Sequence, residues 1–300
     1  MLVFALIATL AYAQKKPLDH SVYDSWKSLN AVSVPRNGDI LIYNINPGEG
    51  DTELVIENIR TGKKTIVPRA TRAKLSEDGS KVVAVIKPLF EQTRQAKIKK
   101  AKKEDMPKDT LALIDVKNGK VEKYANYKSH ATADKWSTYL AFELTPAKEK
   151  AEKKDAKDEK KKPAPKKEVN KLLVMNVLTN KVDTIKNVTS YKFNEDGSWL
   201  AYVVEPEKKD SLGKAGLFLY NPANGESKAV LEGAKGSKFK TPTFSEVGTM
   251  AFYANTDTTK AAKKNIDIYF YDIKNANLQK AAHNQMAGLQ EGWIVRRNSL

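Results

Sequence analysis

Short apolar runs, each closed by a polar turn, recur along this chain. LVIENIRTGK from Leu54, LALIDVKNGK from Leu111, LLVMNVLTNK from Leu172, LFLYNPANGE from Leu217 and IYFYDIKNAN from Ile268 superimpose without gaps. Each places Asn58, Asp115, Asn176, Asn221 or Asp272 at its fifth position. Each then continues into a turn pair, Thr61-Gly62, Asn118-Gly119, Thr179-Asn180, Asn224-Gly225 or Asn275-Ala276. Such pairs tolerate the positive φ that a tight hairpin demands, so the element predicts five hairpins. A second element alternates with it: SEDGSKVVAVI from Ser76, ADKWSTYLAFEL from Ala133, NEDGSWLAYVV from Asn194 and SEVGTMAFYA from Ser245, with a worn copy, PRNGDILIYNI, from Pro35. A polar corner feeding β-branched and aromatic residues is a turn entering a strand, so each unit reads turn, strand, loop, hairpin, strand. Successive copies of the first element lie 57, 61, 45 and 51 residues apart, the length of a four-stranded blade with variable loops. One such sheet cannot bury both faces alone and must stack on neighbours. The pattern therefore predicts an all-β fold, a β-propeller with about five blades in an open arc. A β-sandwich with coincidental turns is the competing architecture, disfavoured by five gapless copies.

The amino terminus departs from the repeat. Leu2 to Leu10 is apolar and is followed by Ala11-Tyr12-Ala13 and then Gln14-Lys15-Lys16, the small-x-small spacing of a signal-peptide cleavage site. The expectation is a leader over 1–13, cleaved between Ala13 and Gln14, and a periplasmic or otherwise exported mature chain whose propeller occupies 14–300. No basic residue precedes Lys15, so a buried first strand or helix is the competing reading. The run is too short for a stable membrane anchor, which needs roughly 20 apolar residues.

Charge changes the picture less than its total suggests. Lys and Arg number 52 against 36 Asp and Glu, a net +16. Arg94 to Lys108 and Lys148 to Lys167 contribute +5 each, or +10 of that total. The first stretch lies in a basic linker, 89–110, expected to form a short helix over the face or rim of the propeller. The second lies in a low-complexity Lys/Glu/Ala insertion, 147–170, expected to be solvated and mobile. Neither interleaves aromatic residues with its cations, as a single-strand channel would, so no nucleic-acid partner is expected.

Candidate chemistry is sparse. There is no Cys, which excludes thiolate sites and a cysteine nucleophile, and the three His residues, His20, His130 and His283, are scattered. A nucleophile elbow needs G-x-S-x-G, yet the only glycines four apart, Gly288 and Gly292, flank Gln290. H-E-x-x-H, the P-loop and G-x-G-x-x-G are also absent. No catalytic residue, metal site or cofactor is assigned, and the substrate-binding residues stay unknown. His20 beside Asp19 reads as an exposed pair in an extended segment, and His130 and His283 as surface residues in loops. Trp26, Trp136, Trp199 and Trp293 read as packing between blades.

The opening LDHSVYDSWKSL, the linker LFEQTRQAKIKKAKKEDMPKD and the D-G strand repeats together resemble the amino-terminal β-propeller of large exported serine peptidases of the prolyl oligopeptidase family from Bacteroidetes-type bacteria. The resemblance spans essentially the whole chain after the leader, and the linker is its specific part. It implies a carboxy-terminal α/β-hydrolase domain with a Ser-Asp-His triad, reached by short peptides because the propeller restricts access. On that reading this chain, ending in GWIVRRNSL, is truncated before the triad, and none of its residues is carried over as catalytic. The resemblance implies peptide substrates and the chain's own hydrolase domain as partners. The superfamily's dipeptidyl peptidases hold the substrate amino terminus with paired propeller glutamates; this chain has no Glu-Glu dipeptide, which favours oligopeptidase-like cleavage. The alternative is a free-standing periplasmic propeller acting as a protein-binding scaffold.

Overall fold

The structure, a computed structural model, describes residues 20–23, 26–35, 38–145, 170–206, 213–256, 266–290 and 295. The expected leader with its Ala13–Gln14 bond lies outside these residues, as does nearly all of the Lys-rich insertion.

After a short helix, α1 (His20–Tyr23), the chain folds into five antiparallel sheets in strict sequence order. The first holds β1 (Lys27–Ser33), β2 (Ile40–Pro47), β3 (Glu53–Asn58) and β4 (Lys64–Pro68). The second holds β5 (Ala70–Leu75), β6 (Lys81–Ile86), β7 (Thr110–Asp115) and β8 (Val121–Tyr124), with helix α2 (Phe90–Ile98) between β6 and β7. The third holds β9 (Tyr127–Thr132), β10 (Tyr139–Leu144), β11 (Lys171–Asn176) and β12 (Val182–Lys186). The fourth holds β13 (Val188–Phe193), β14 (Leu200–Val204), β15 (Ala215–Asn221) and β16 (Glu226–Gly233). In the fifth, β17 (Lys238–Phe239) and β18 (Thr243–Phe244) both pair with β19 (Thr249–Asn255), which leads to β20 (Asp267–Asp272) and β21 (Asn277–Ala282). Pro242 stands between β17 and β18, and a proline has no N–H for the ladder, so this inner strand is split in two.

The hairpin repeat is built as its residues require. The carboxyl or amide oxygen at its fifth position accepts backbone N–H bonds from the turn: Asn58 from Thr61 at 2.9 Å, Asp115 from Lys117 and Asn118 at 3.0 and 3.1 Å, and Asp272 from Lys274 and Asn275 at 2.9 and 3.0 Å. Asn176 and Asn221 do the same. The second turn residue is left-handed in all five copies, with φ of 68° at Gly62, 77° at Gly119, 60° at Asn180, 76° at Gly225 and 50° at Ala276. Only the last carries a residue poorly suited to that conformation.

Both faces of the middle sheets are apolar, and this drives the stacking. Val82, Ala84 and Ile86 of β6 pack with Ile42, Leu54 and Ile56 of the first sheet, while Val83 and Val85 turn the other way onto Trp136, Leu140 and Phe142 of the third. Leu172 and Val174 meet Leu200 and Tyr202 of the fourth sheet, and Leu217 and Leu219 meet Met250 and Phe252 of the fifth. Each fully buried Leu or Ile contributes about 1.5–3 kcal/mol relative to exposure, so the four seams supply most of the hydrophobic stabilisation. Among the described residues no such cluster joins the fifth sheet back to the first, and the blades form an arc.

The blade junctions are stitched by backbone. Single left-handed residues, Arg69, Asn126 and Asn187, precede β5, β9 and β13. Their carbonyls accept the N–H of Lys87, Thr145 and Glu205, each the first residue after a blade's second strand, at 2.9, 2.7 and 3.2 Å. Because strands alternate in direction, the connections from second to third strand share one face of the arc with these junctions. The tight turns share the other. Helix α2 and the strand ends that bracket the Lys-rich insertion, Leu144 and Lys171, therefore lie on the same face, in neighbouring blades.

Candidate functional site

First strands line the inside of the arc in the first four sheets: β1 lies against β5 and β9 against β13. β1, β5, β9 and β13 are rich in polar residues, and bulges interrupt three of them at Asn30/Ser33, Thr71/Lys74 and Val188/Ser190. At the second of these, Arg72 has a left-handed backbone, φ 51°, which costs a non-glycine residue about 1–2 kcal/mol. Backbone strain of this kind gathers where a side chain must be aimed at a particular place.

Two polar seams follow on the inner wall. Between blades two and three, the Arg72 guanidinium lies over the Tyr127 ring, 5.7 Å from its centroid, and the Tyr127 hydroxyl meets His130 Nδ1 at 2.9 Å. Lys74 donates to the Ala133 carbonyl at 2.6 Å. Burial lowers the affinity of the Lys74 amine for its proton, partly offset by Asp134. His130 is likewise held below its ordinary pKa, first by burial and then by the charges of Arg72 and Lys74. Burial also pushes the Tyr127 hydroxyl up. Asp109 lies 3.6 Å from Arg72 and is shared with Lys87 at 2.6 Å.

The seam between blades three and four is closed on itself. Glu143, 4% exposed, accepts from Lys128 at 2.5 Å and from Ser129 at 3.4 Å, and Ser129 also meets the Tyr191 hydroxyl at 2.8 Å. A buried carboxylate persists only when paired and hydrogen-bonded, as here. Burial drives the Tyr191 hydroxyl far above the range in which it would ionise.

Several sequence readings need correction. His130 is not a surface loop residue: it lies half-buried on β9, because a bulge at Glu143/Leu144 turns it with Tyr127 toward blade two. Its strand, YKSHAT, lacks the apolar alternation that marks strands in sequence. His20 lies in helix α1 rather than an extended segment, while His283 does occupy a loop, half-buried. Trp136 fills the seam between blades two and three, and Trp199 packs at the seam between four and five. Trp26 is 56% exposed and meets Tyr23 edge-on at 5.0 Å, so among the described residues it does not fill a seam between blades. Trp293 lies outside the described residues.

The linker carries α2, none of whose residues is buried. It leans on blade one: Asp51 accepts the Phe90 N–H at 2.8 Å and Glu49 meets Arg94 at 3.1 Å. A cleft of about 300 Å³ lined by Thr52, Arg69, Thr71, Lys87, Phe90 and Asp109, among others, lies beside it. Among the described residues no group of three or more His, Asp or Glu could hold a metal ion, and no helix is long and apolar enough to cross a membrane.

No protein-family model matches the chain, and no curated protein matches it in sequence. Similarity to solved structures is at the level of fold. The β-propeller domain of the Trilobed protease from Pyrococcus furiosus is 13% identical, with TM-score 0.45, over 85% of this chain and 72% of that one. The acylaminoacyl peptidase of Pyrococcus horikoshii is 14% identical, with TM-score 0.44, over 87% of this chain, which spans only 40% of the peptidase. An oligogalacturonate lyase in complex with manganese is 15% identical, with TM-score 0.43, over 85% of this chain and 65% of the lyase. A fold does not fix an activity, so function has to be argued from the residues.

Proposed function

We propose that this chain is the substrate-gating propeller of an exported peptidase of the prolyl oligopeptidase type, which hydrolyses short peptides with a serine on a catalytic domain outside these residues. One observation carries the reading: the linker that bears the sequence resemblance is the second-to-third-strand connection of blade two. It stands on the face where the long connections gather, beside an inner wall of polar strands. In this reading the stacked blades restrict access to the catalytic serine to extended peptides. Export is supported by the leader-like 1–13 segment.

The test is to express the chain together with whatever follows it in its reading frame. Turnover of chromogenic prolyl peptides, abolished by a serine-directed phosphonate, is expected of the longer product and not of these 300 residues alone. Turnover by the 300-residue chain, or a longer product without a nucleophile elbow, would overturn the proposal. The exposed apolar faces of the first and fifth sheets favour a second reading, a periplasmic scaffold propeller that binds a protein. Capture of a folded partner by those faces, with no peptidase activity, would establish it.

A further inference from the structure

The two inner seams differ in one respect that the proposed gating role does not explain. Between blades three and four, the cation Lys128 has a buried carboxylate, Glu143, as partner. Between blades two and three, Arg72, Lys74 and His130 converge with the Tyr127 hydroxyl, and no buried carboxylate joins them among the described residues. The half-buried Lys74 donates one hydrogen bond to a backbone carbonyl, and its ammonium carries two further N–H donors. Arg72 shares one partly exposed carboxylate, Asp109, with Lys87. Its left-handed backbone aims the guanidinium over Tyr127, with the side chain still 56% exposed.

We propose that this seam is a carboxylate-binding site on the inner wall, with Arg72 and Lys74 as the charged donors and His130 and Tyr127 as hydrogen-bonding neighbours. A carboxylate suits the set because a guanidinium and an ammonium two positions apart on β5 offer charge-assisted donors to its two oxygens, beside Tyr127 and His130 of β9. The site rests on the gating reading for the source of its ligand, a peptide passing along the inner wall. That ligand presents either its terminal carboxylate or an acidic side chain.

His130 reports occupancy. Arg72 and Lys74 of β5 disfavour its protonation, Tyr127 of β9 meets its Nδ1, and Asp109 and Asp134 are the acids facing the two cations. An anion seated between the cations cancels their field and raises the pH at which His130 protonates. The chain has three His residues, so its imidazole resonances are assigned by the variant His130→Gln and followed by NMR against pH at fixed chloride concentration. Three acetylated tripeptides serve as probes: a neutral free acid, a carboxy-amidated peptide containing Glu, and a neutral carboxy-amidated one.

The expected result is an upward shift of the His130 titration by about half a unit or more with one or both acidic probes and none with the third. A shift with the free acid alone assigns the terminal carboxylate, and a shift with the Glu peptide alone the side chain. Lys74→Met and Arg72→Gln should each reduce the shift, and the wild-type titration decides the matter if either variant fails to fold. An unchanged titration with both acidic probes, or an equal shift with the neutral amide, overturns the site. Either failure leaves the peptidase assay unaffected, so the two proposals fall separately.

Discussion

Asp51, in the second-to-third-strand connection of blade one, accepts the backbone N–H of Phe90, the first residue of the helix that belongs to blade two. The helix has no side-chain cap of its own at Leu89, so this bond from another blade takes that role. Asp51→Ala should cost about 1 kcal/mol of local stability. Hydrogen exchange should show faster exchange over Phe90–Ile98 with β6 and β7 unchanged; equal exchange in the variant would show that Asp51 does not hold the helix.

Ala276 is the one turn residue among five hairpins that bears a β-carbon without a polar group at positive φ, 50°. Ala276→Gly should raise stability by about 1 kcal/mol. Gly119→Ala should lower it by at least as much, since its φ is 77° and an added β-carbon would stand 3.3 Å from Thr65 Oγ1. Denaturant unfolding measures both, and a destabilised Ala276→Gly would refute the argument.

Asn126 and Asn187 hold left-handed junctions at φ 59° and 60°, where Asn is tolerated better than other β-carbon residues. Asn126→Ala and Asn187→Ala should each destabilise by about 1 kcal/mol, and the glycine variants by less. Thermal unfolding of the four variants ranks them.

Acid should weaken the turns. The Asp115 carboxyl is held below the usual carboxylate range, first by its bond to Lys81 and then, against burial, by the N–H groups of Asn118 and Lys117; Asp272 is held down first by the N–H of Asn275. A depressed folded-state value means the unfolded chain takes up the proton more readily, so the stabilisation is present above about pH 4 and is lost as pH falls through the folded values. Stability should therefore fall below pH 4, and Asp115→Asn should flatten the dependence. A wild-type profile flat down to pH 2.5 would contradict it.

Leu29 and Ile66 on the outward face of the first sheet are 65% and 55% exposed, and Phe270 on the outward face of the fifth is 51% exposed. Apolar sheet faces left open invite pairing. The 300-residue chain should associate with rising concentration in sedimentation velocity, and Ile66→Lys with Phe270→Lys should suppress this without unfolding the blades. A monomer at all concentrations would count against it.

Sequence by itself determined the hairpins, because their signal is local. An Asx oxygen bonded to N–H groups two or three residues on, and a residue able to take positive φ, lie within five positions of each other. It also determined the stacking, since continuous apolar runs such as KVVAVI must be covered on both sides. The innermost strands were not legible. ATRAKL and YKSHAT are short, bulged and polar, and they become strands only because β6 and β10 present ladders for them to join. The same holds for the inner wall. Arg72 and His130 are 58 positions apart, their meeting depends on one bulge in each sheet and on how two blades stack, and no spacing along the chain encodes that. Local hydrogen bonding and hydrophobic pattern set the blades, and only the tertiary arrangement decided which polar side chains face one another between them.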